Sequence, residues 1–154
     1  MAAPGRRRRR GGFDLDPAAG IESEQIATDQ YTPEDDGLAQ PWYGDVWLNP
    51  PFDAKKKWFR RLISQYEDGD VTSATALAPV DTSTKWFQRW FTNADALGWL
   101  EGRDWYEATG SPSFNTVVGV WNPTDDVLET LDRLGTVTRP VDVRGQQTTL
   151  SDLG

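Results

Sequence analysis

The chain has 154 residues, enough for one domain, and no apolar stretch approaches the ~20 residues that span a bilayer. It has no cysteine and no histidine, which excludes disulfides, thiolate nucleophiles, imidazole bases and zinc sites, so no metal is expected. The net charge is −8, with five of the sixteen positive charges at Arg6 to Arg10 and lysine only at 55, 56, 57 and 85; an acidic, lysine-poor chain predicts a high-salt cytoplasm, that of an archaeal cell or its virus.

In chain order, residues 1–12 are low in complexity and read as a disordered arginine-rich arm. No apolar segment follows the arginines as a signal peptide requires. The run is either a phosphate-binding arm or a stretch without a role. Residues 12–16 predict a short strand ending in acids, then a turn, Pro17-Ala18-Ala19-Gly20. Residues 21–45 are polar and rich in turn formers, clearest from Thr32 to Gly37. The apolar run 46–48 predicts a buried strand. It ends in Asn49-Pro50-Pro51-Phe52, where neither proline donates a ladder hydrogen bond, so the backbone must leave the sheet at Asn49.

Asp53 is placed to cap a helix from 54 to about 67, with Trp58, Phe59, Leu62, Ile63 and Tyr66 on its apolar face. Residues 73–80 predict a buried strand. Residues 81–84 offer N-caps to a short helix whose Trp86, Phe87, Trp90 and Phe91 suit core packing. Strands are predicted at 96–100 and 116–121, separated by breaks at 101–103 and 110–113. Thr124 is placed to cap a last helix with Val127, Leu128, Leu131 and Leu134 on one face, stopped by Gly135. The domain therefore covers 13–138, followed by a loose tail at 139–154.

Strands alternating with helices predict an α/β sheet, mostly parallel, with the last two strands as an antiparallel edge hairpin. Ligands of open α/β sheets bind beyond the carboxyl ends of the strands. Asp16, Asn49 and Pro79 lie at such ends and should share one rim. The Asn49 loop offers an amide, rigid carbonyls and an aromatic face, a set that suits a planar substrate with an exocyclic amino group. The plainer reading of Asn-Pro-Pro is a turn after a strand, and that of Asp14 and Asp16 a solvated strand end. Arg103 either binds phosphate or pairs with Asp104 or Glu107.

Five segments carry a resemblance: Phe-Asp-Leu-Asp-Pro-Ala-Ala (13–19), Tyr-Thr-Pro-Glu-Asp-Asp-Gly-Leu (31–38), Pro-Trp followed by Val-Trp-Leu-Asn-Pro-Pro-Phe (41–52), Leu-Ala-Pro-Val-Asp-Thr-Ser-Thr-Lys-Trp-Phe (77–87) and Gly-Arg-Asp-Trp-Tyr (102–106). In this order the chain resembles the phage-type DNA N6-adenine methyltransferase (Dam) family. The resemblance implies a Rossmann-like fold dependent on S-adenosylmethionine. It implies that Asn49, Pro50, Pro51 and Phe52 form the catalytic loop. It places the cofactor near Asp14, Asp16, Pro17, Ala18 and Gly20, with Asp36 and Leu38 toward its adenine end. The chain departs from the family in three ways. The upstream Trp-x-Thr-Pro segment is replaced by the arginine run, as in an N-terminally truncated enzyme. The glycine-rich loop is reduced to Gly20, and Phe52 stands where tyrosine is commoner.

The resemblance implies methyl transfer to adenine N6 in double-stranded DNA, with the adenine flipped out of the helix to reach the site. An RNA base or a protein glutamine also presents a planar amino group, and a non-catalytic nucleic-acid-binding remnant is a third reading. The recognition sequence and the oligomeric state are left open.

Overall fold

The computed structural model describes residues 12–21, 24–100, 116–141 and 143. Seven strands form one sheet: β1 (Phe13–Asp16), β2 (Ala27–Gln30), β3 (Gly44–Leu48), β4 (Val71–Pro79), β5 (Ala96–Leu100), β6 (Thr116–Trp121) and β7 (Gly135–Thr138). Among the described residues two α-helices accompany them, α1 (Lys55–Glu67) and α2 (Asp125–Leu134). The strand order is β2-β1-β3-β4-β6-β5-β7. The first four strands pair in parallel, and the remaining pairings are antiparallel.

The central strands read as continuous apolar runs because both faces are covered. On one face α1 sets Phe59 and Leu62 against Val46, Leu48 and Ala76. The Trp86, Phe87 and Phe91 rings join that core, with Phe59 stacked on Trp86 at 5.2 Å and edge-on to Phe91 at 5.6 Å. On the other face Leu131 of α2 closes over Leu77, Val118 and Val120. Burying each such side chain contributes roughly 1.5–3 kcal/mol. The aromatic cluster is therefore packing, as the sequence suggests.

Four local expectations change. β2 has no apolar run because it is an edge strand, bonded on one side, and only Ala27 of its four residues is buried. β5 and β6 do pair antiparallel, but β6 lies inside the sheet and β7 takes the edge. Gly135 ends α2, yet the chain continues directly into β7. A β-carbon there would come within 1.9 Å of the Trp99 carbonyl oxygen, so the glycine also allows close strand approach.

The fourth change concerns caps. A 3-10 turn (Phe52–Ala54) separates the proline loop from α1, and Ala54, not Asp53, occupies the cap position with no side-chain bond. No side chain of 81–84 caps the following segment, whose residues 87–91 form a π-type turn. The Thr84 hydroxyl instead donates to the Asp81 carbonyl at 2.7 Å. Thr124 does cap α2, accepting from the Val127 N–H. No helix among the described residues is long and apolar enough to cross a membrane.

Candidate active site

Parallel pairing puts the carboxyl ends of β1 to β4 on one rim. Past the strand ends, the Tyr31 N–H donates to the Asp16 carbonyl and the Ala19 N–H to the Tyr31 carbonyl, each at 2.9 Å. These bonds fold the turn after β1 against the segment after β2. Asp36 then adopts a left-handed conformation, φ 54°, at the start of a 3-10 turn (Gly37–Ala39). Aspartate tolerates that region better than most residues. Gly37 lies buried against Pro17, and its carbonyl accepts from Trp42 Nε1 at 2.8 Å.

At the end of β3 Pro50 is buried, Asn49 and Phe52 are half-buried and Pro51 is exposed. The loop is held from behind. The Ala54 N–H donates to the Pro51 carbonyl at 3.1 Å. Lys55 Nζ donates to the Phe52 carbonyl at 3.3 Å and lies 5.7 Å from the centre of the Trp86 ring. The Asn49 amide has no hydrogen-bond partner among the described residues.

A cavity of about 210 Å³ opens between these segments. Residues 17–19 form one wall and 31–33 another, while Asp36, Gly37, Pro51 and Trp58 complete it. Asp16 is only 5 % exposed. Its Oδ1 is buried without a hydrogen-bond partner among the described residues. Burial pushes its pKa up to about 6, against the opposing effect of the Ala18 N–H bond. A buried carboxylate oxygen without a donor favours a positively charged or proton-donating ligand.

Of the residues singled out in the sequence, the cavity brings together Pro17, Ala18, Asp36 and Pro51, with Asp16 buried next to Pro17 but not on the lining. Asn49, Pro50 and Phe52 lie beside the cavity in sequence but do not line it, and three further residues serve elsewhere. The Asp14 carboxylate accepts from the Asp45 N–H at 2.8 Å, tying β1 to β3. Leu38 packs against the main core, and Gly20 is exposed beyond the turn. Arg103 lies outside the described residues. Tyr31, Thr32, Pro33, Gly37 and Trp58 also line the cavity, without a signal in the sequence that marks them as site residues. The first four fall in the Tyr-Thr-Pro-Glu-Asp-Asp-Gly-Leu segment, but a polar edge strand hides the turn that carries them to the rim. A larger groove, about 540 Å³, lies along the later turns of α1 beside Arg89 and Trp90 and includes none of the predicted site residues.

A mixed sheet with a proline-locked loop and a small-residue turn facing one cavity is compatible with a methyltransferase-like fold. The chain belongs to the DNA N-6-adenine-methyltransferase (Dam) family, whose profile matches residues 6–114. It is 34% identical over 96 residues to a "DNA N-6-adenine-methyltransferase" of Escherichia phage T1, covering 60% of this chain and 39% of that protein. It is 35% identical over 89 residues to a protein of the same name from Haemophilus phage HP1, covering 57% of this chain and 50% of the relative. The matched parts thus span half or less of these relatives' length. No solved structure matches the chain significantly.

Proposed function

We propose that the chain transfers a methyl group from S-adenosylmethionine to N6 of adenine in double-stranded DNA. Family membership and the names of the two phage relatives support the reaction class. The observation that carries the reading is a single cavity shared by Pro51 of the proline loop and the turn after β1.

The residues suit the cofactor. Asp16, next to cavity residue Pro17, carries a buried carboxylate oxygen without a hydrogen-bond partner among the described residues, which we assign to an ammonium or sulfonium charge of the cofactor. The small side chains at 18 and 19 leave the backbone approachable, and exposed Asp36 offers acceptors on the cavity wall. The cavity is smaller than the ~300–1,000 Å³ of most small-molecule sites, so we assign it to one end of the cofactor. Asp14 and Leu38 then act as supports, and Gly20 as the flexible end of the turn. When bound, the cofactor supplies a methyl group on positively charged sulfur.

The chain's own residues position the acceptor. A flipped adenine costs a few kcal/mol, and stacking on Phe52 returns ~1–3 kcal/mol. The Asn49 side-chain oxygen and the Pro50 carbonyl each accept one N6 hydrogen. Those bonds draw the N6 lone pair out of the ring and fix its direction, which is catalysis by orientation and electrostatics. Pro50 and Pro51 fix φ in advance, so little loop entropy is lost on binding. Arg103 is retained as a phosphate contact, and the high-salt setting rests on composition alone.

The test supplies tritium-labelled S-adenosylmethionine and unmethylated duplex DNA, then identifies the labelled nucleoside. Labelled N6-methyladenine is the expected product. Label in RNA or in protein glutamine instead would move the substrate, and the absence of both transfer and cofactor binding would leave a non-catalytic remnant.

A further inference from the structure

Seven of the nine cations among the described residues fall between 55 and 89. All four lysines fall between 55 and 85, and Arg60, Arg61 and Arg89 lie in or beside the same stretch. On α1, Phe59 and Leu62 face the core, while Lys56, Lys57 and Arg60 are exposed. Helical geometry puts those three on the solvent side, opposite the buried stripe.

Some of these cations already have internal work. Lys55 holds the Phe52 carbonyl. Arg61 donates to the Gln40 carbonyl at 2.9 Å and lies over the Trp42 ring, and the Arg60 guanidinium lies 5.9 Å from the centre of the Trp90 ring. Lys56 and Lys57 do not. Neither has a hydrogen-bond or ion-pair partner among the described residues, although the chain carries 24 acids. Nor does their position favour the helix. Cations in a first turn oppose the helix dipole, and this first turn holds no acid to offset them.

Resting on the reading of the chain as a DNA methyltransferase, we propose that the exposed face of α1, centred on Lys56 and Lys57, holds the phosphate backbone of the duplex. Charge complementarity and position both favour a phosphate backbone here. The face begins directly after the loop Asn49 to Phe52, so a strand lying along it is anchored beside the nucleotide to be flipped. Lys56 and Arg60 are separated by about 6 Å along the helix axis, close to the rise of two phosphates of one strand along the duplex axis, at ~3.4 Å each. Phosphate contacts fix register without reading sequence, a role that flexible exposed lysines fill.

The experiment compares two double variants of equal charge change, Lys56→Gln with Lys57→Gln, and Arg133→Gln with Arg139→Gln. Both arginines are exposed at the far side of the fold, on α2 and after β7. Fluorescence anisotropy on duplex DNA across a KCl series gives the slope of log K against log salt. Each lost phosphate contact should reduce that slope by about 0.9, so the lysine variant should lose about 1.8 and the arginine variant nothing. Thermal melts check that both remain folded, and titration with S-adenosylmethionine should be the same for wild type and the lysine variant. Equal slopes in all three proteins, equal losses in both variants, or no duplex binding by the wild type would overturn the proposal. So would a lysine-dependent slope seen on single-stranded RNA but not on duplex DNA. A lysine-dependent slope without methyl transfer would retain this surface and discard the activity, and transfer with an unchanged slope would do the reverse.

Discussion

Gly37 lies so close to Pro17 that a β-carbon added to it would come within 2.1 Å of the Pro17 carbonyl oxygen. Both residues line the cavity, and their contact fixes how closely the turn after β1 and the segment at Gly37 approach one another. Gly37→Ala must push them apart. Overpacking of this kind costs about 1–3 kcal/mol. The expected outcome is a lowered thermal midpoint together with at least tenfold weaker cofactor binding by calorimetry. Wild-type values for both would show that the spacing is not set here.

Asp16 gives a pH dependence with a defined sign. Its pKa is 3.8 ordinarily and about 6 in the fold. The folded state therefore binds the proton more tightly than the unfolded chain. The stability this group contributes is complete below the unfolded pKa and is lost as pH rises through 6, in all about 3 kcal/mol. Asp16→Asn removes that loss. The variant should melt higher than wild type above pH 6 and equal it well below pH 3.8, while binding S-adenosylmethionine more weakly. A variant less stable than wild type at pH 8 would contradict the electrostatic account.

Much of the rim was legible because its residues carry strong local rules. Two prolines after an apolar run end a strand wherever they occur, and β3 stops at Leu48. The apolar spacing of Phe59 and Leu62 located the buried face of α1. What sequence did not disclose was held by tertiary pairing. β2 reads as loop because an edge strand can stay polar. Asp14 looks like a ligand until the Asp45 N–H is found on it. Tyr31 is held at the cavity by backbone bonds to Asp16 and Ala19, and such bonds leave no trace in residue type. Trp58, read as helix face, sits at an end of the helix where the core meets the cavity.

The aromatic cluster should behave as core and nothing more. Phe91 is fully buried, edge-on to Trp121 at 5.7 Å, and its ring lies against Gly119. Phe91→Ala should cost ~3–5 kcal/mol in urea titration. A change below ~1 kcal/mol would mean that the ring is not packed as described.

The acidic composition predicts a salt requirement. Self-repulsion among carboxylates is screened as the Debye length falls to ~3 Å at 1 M. The thermal midpoint should rise markedly from low to molar KCl. Equal midpoints would remove the high-salt reading and leave the fold and site untouched.

The central claim is that the Asn49 amide meets the substrate, and Asn49→Ala tests it most directly. The variant should keep the wild-type circular dichroism spectrum and thermal midpoint, because the amide has no partner among the described residues. It should still bind S-adenosylmethionine. Tritiated methyl incorporation into unmethylated duplex DNA should fall at least 100-fold, as expected when a preorganised group at the reacting atom is removed. Wild-type incorporation by a folded Asn49→Ala protein would contradict the account.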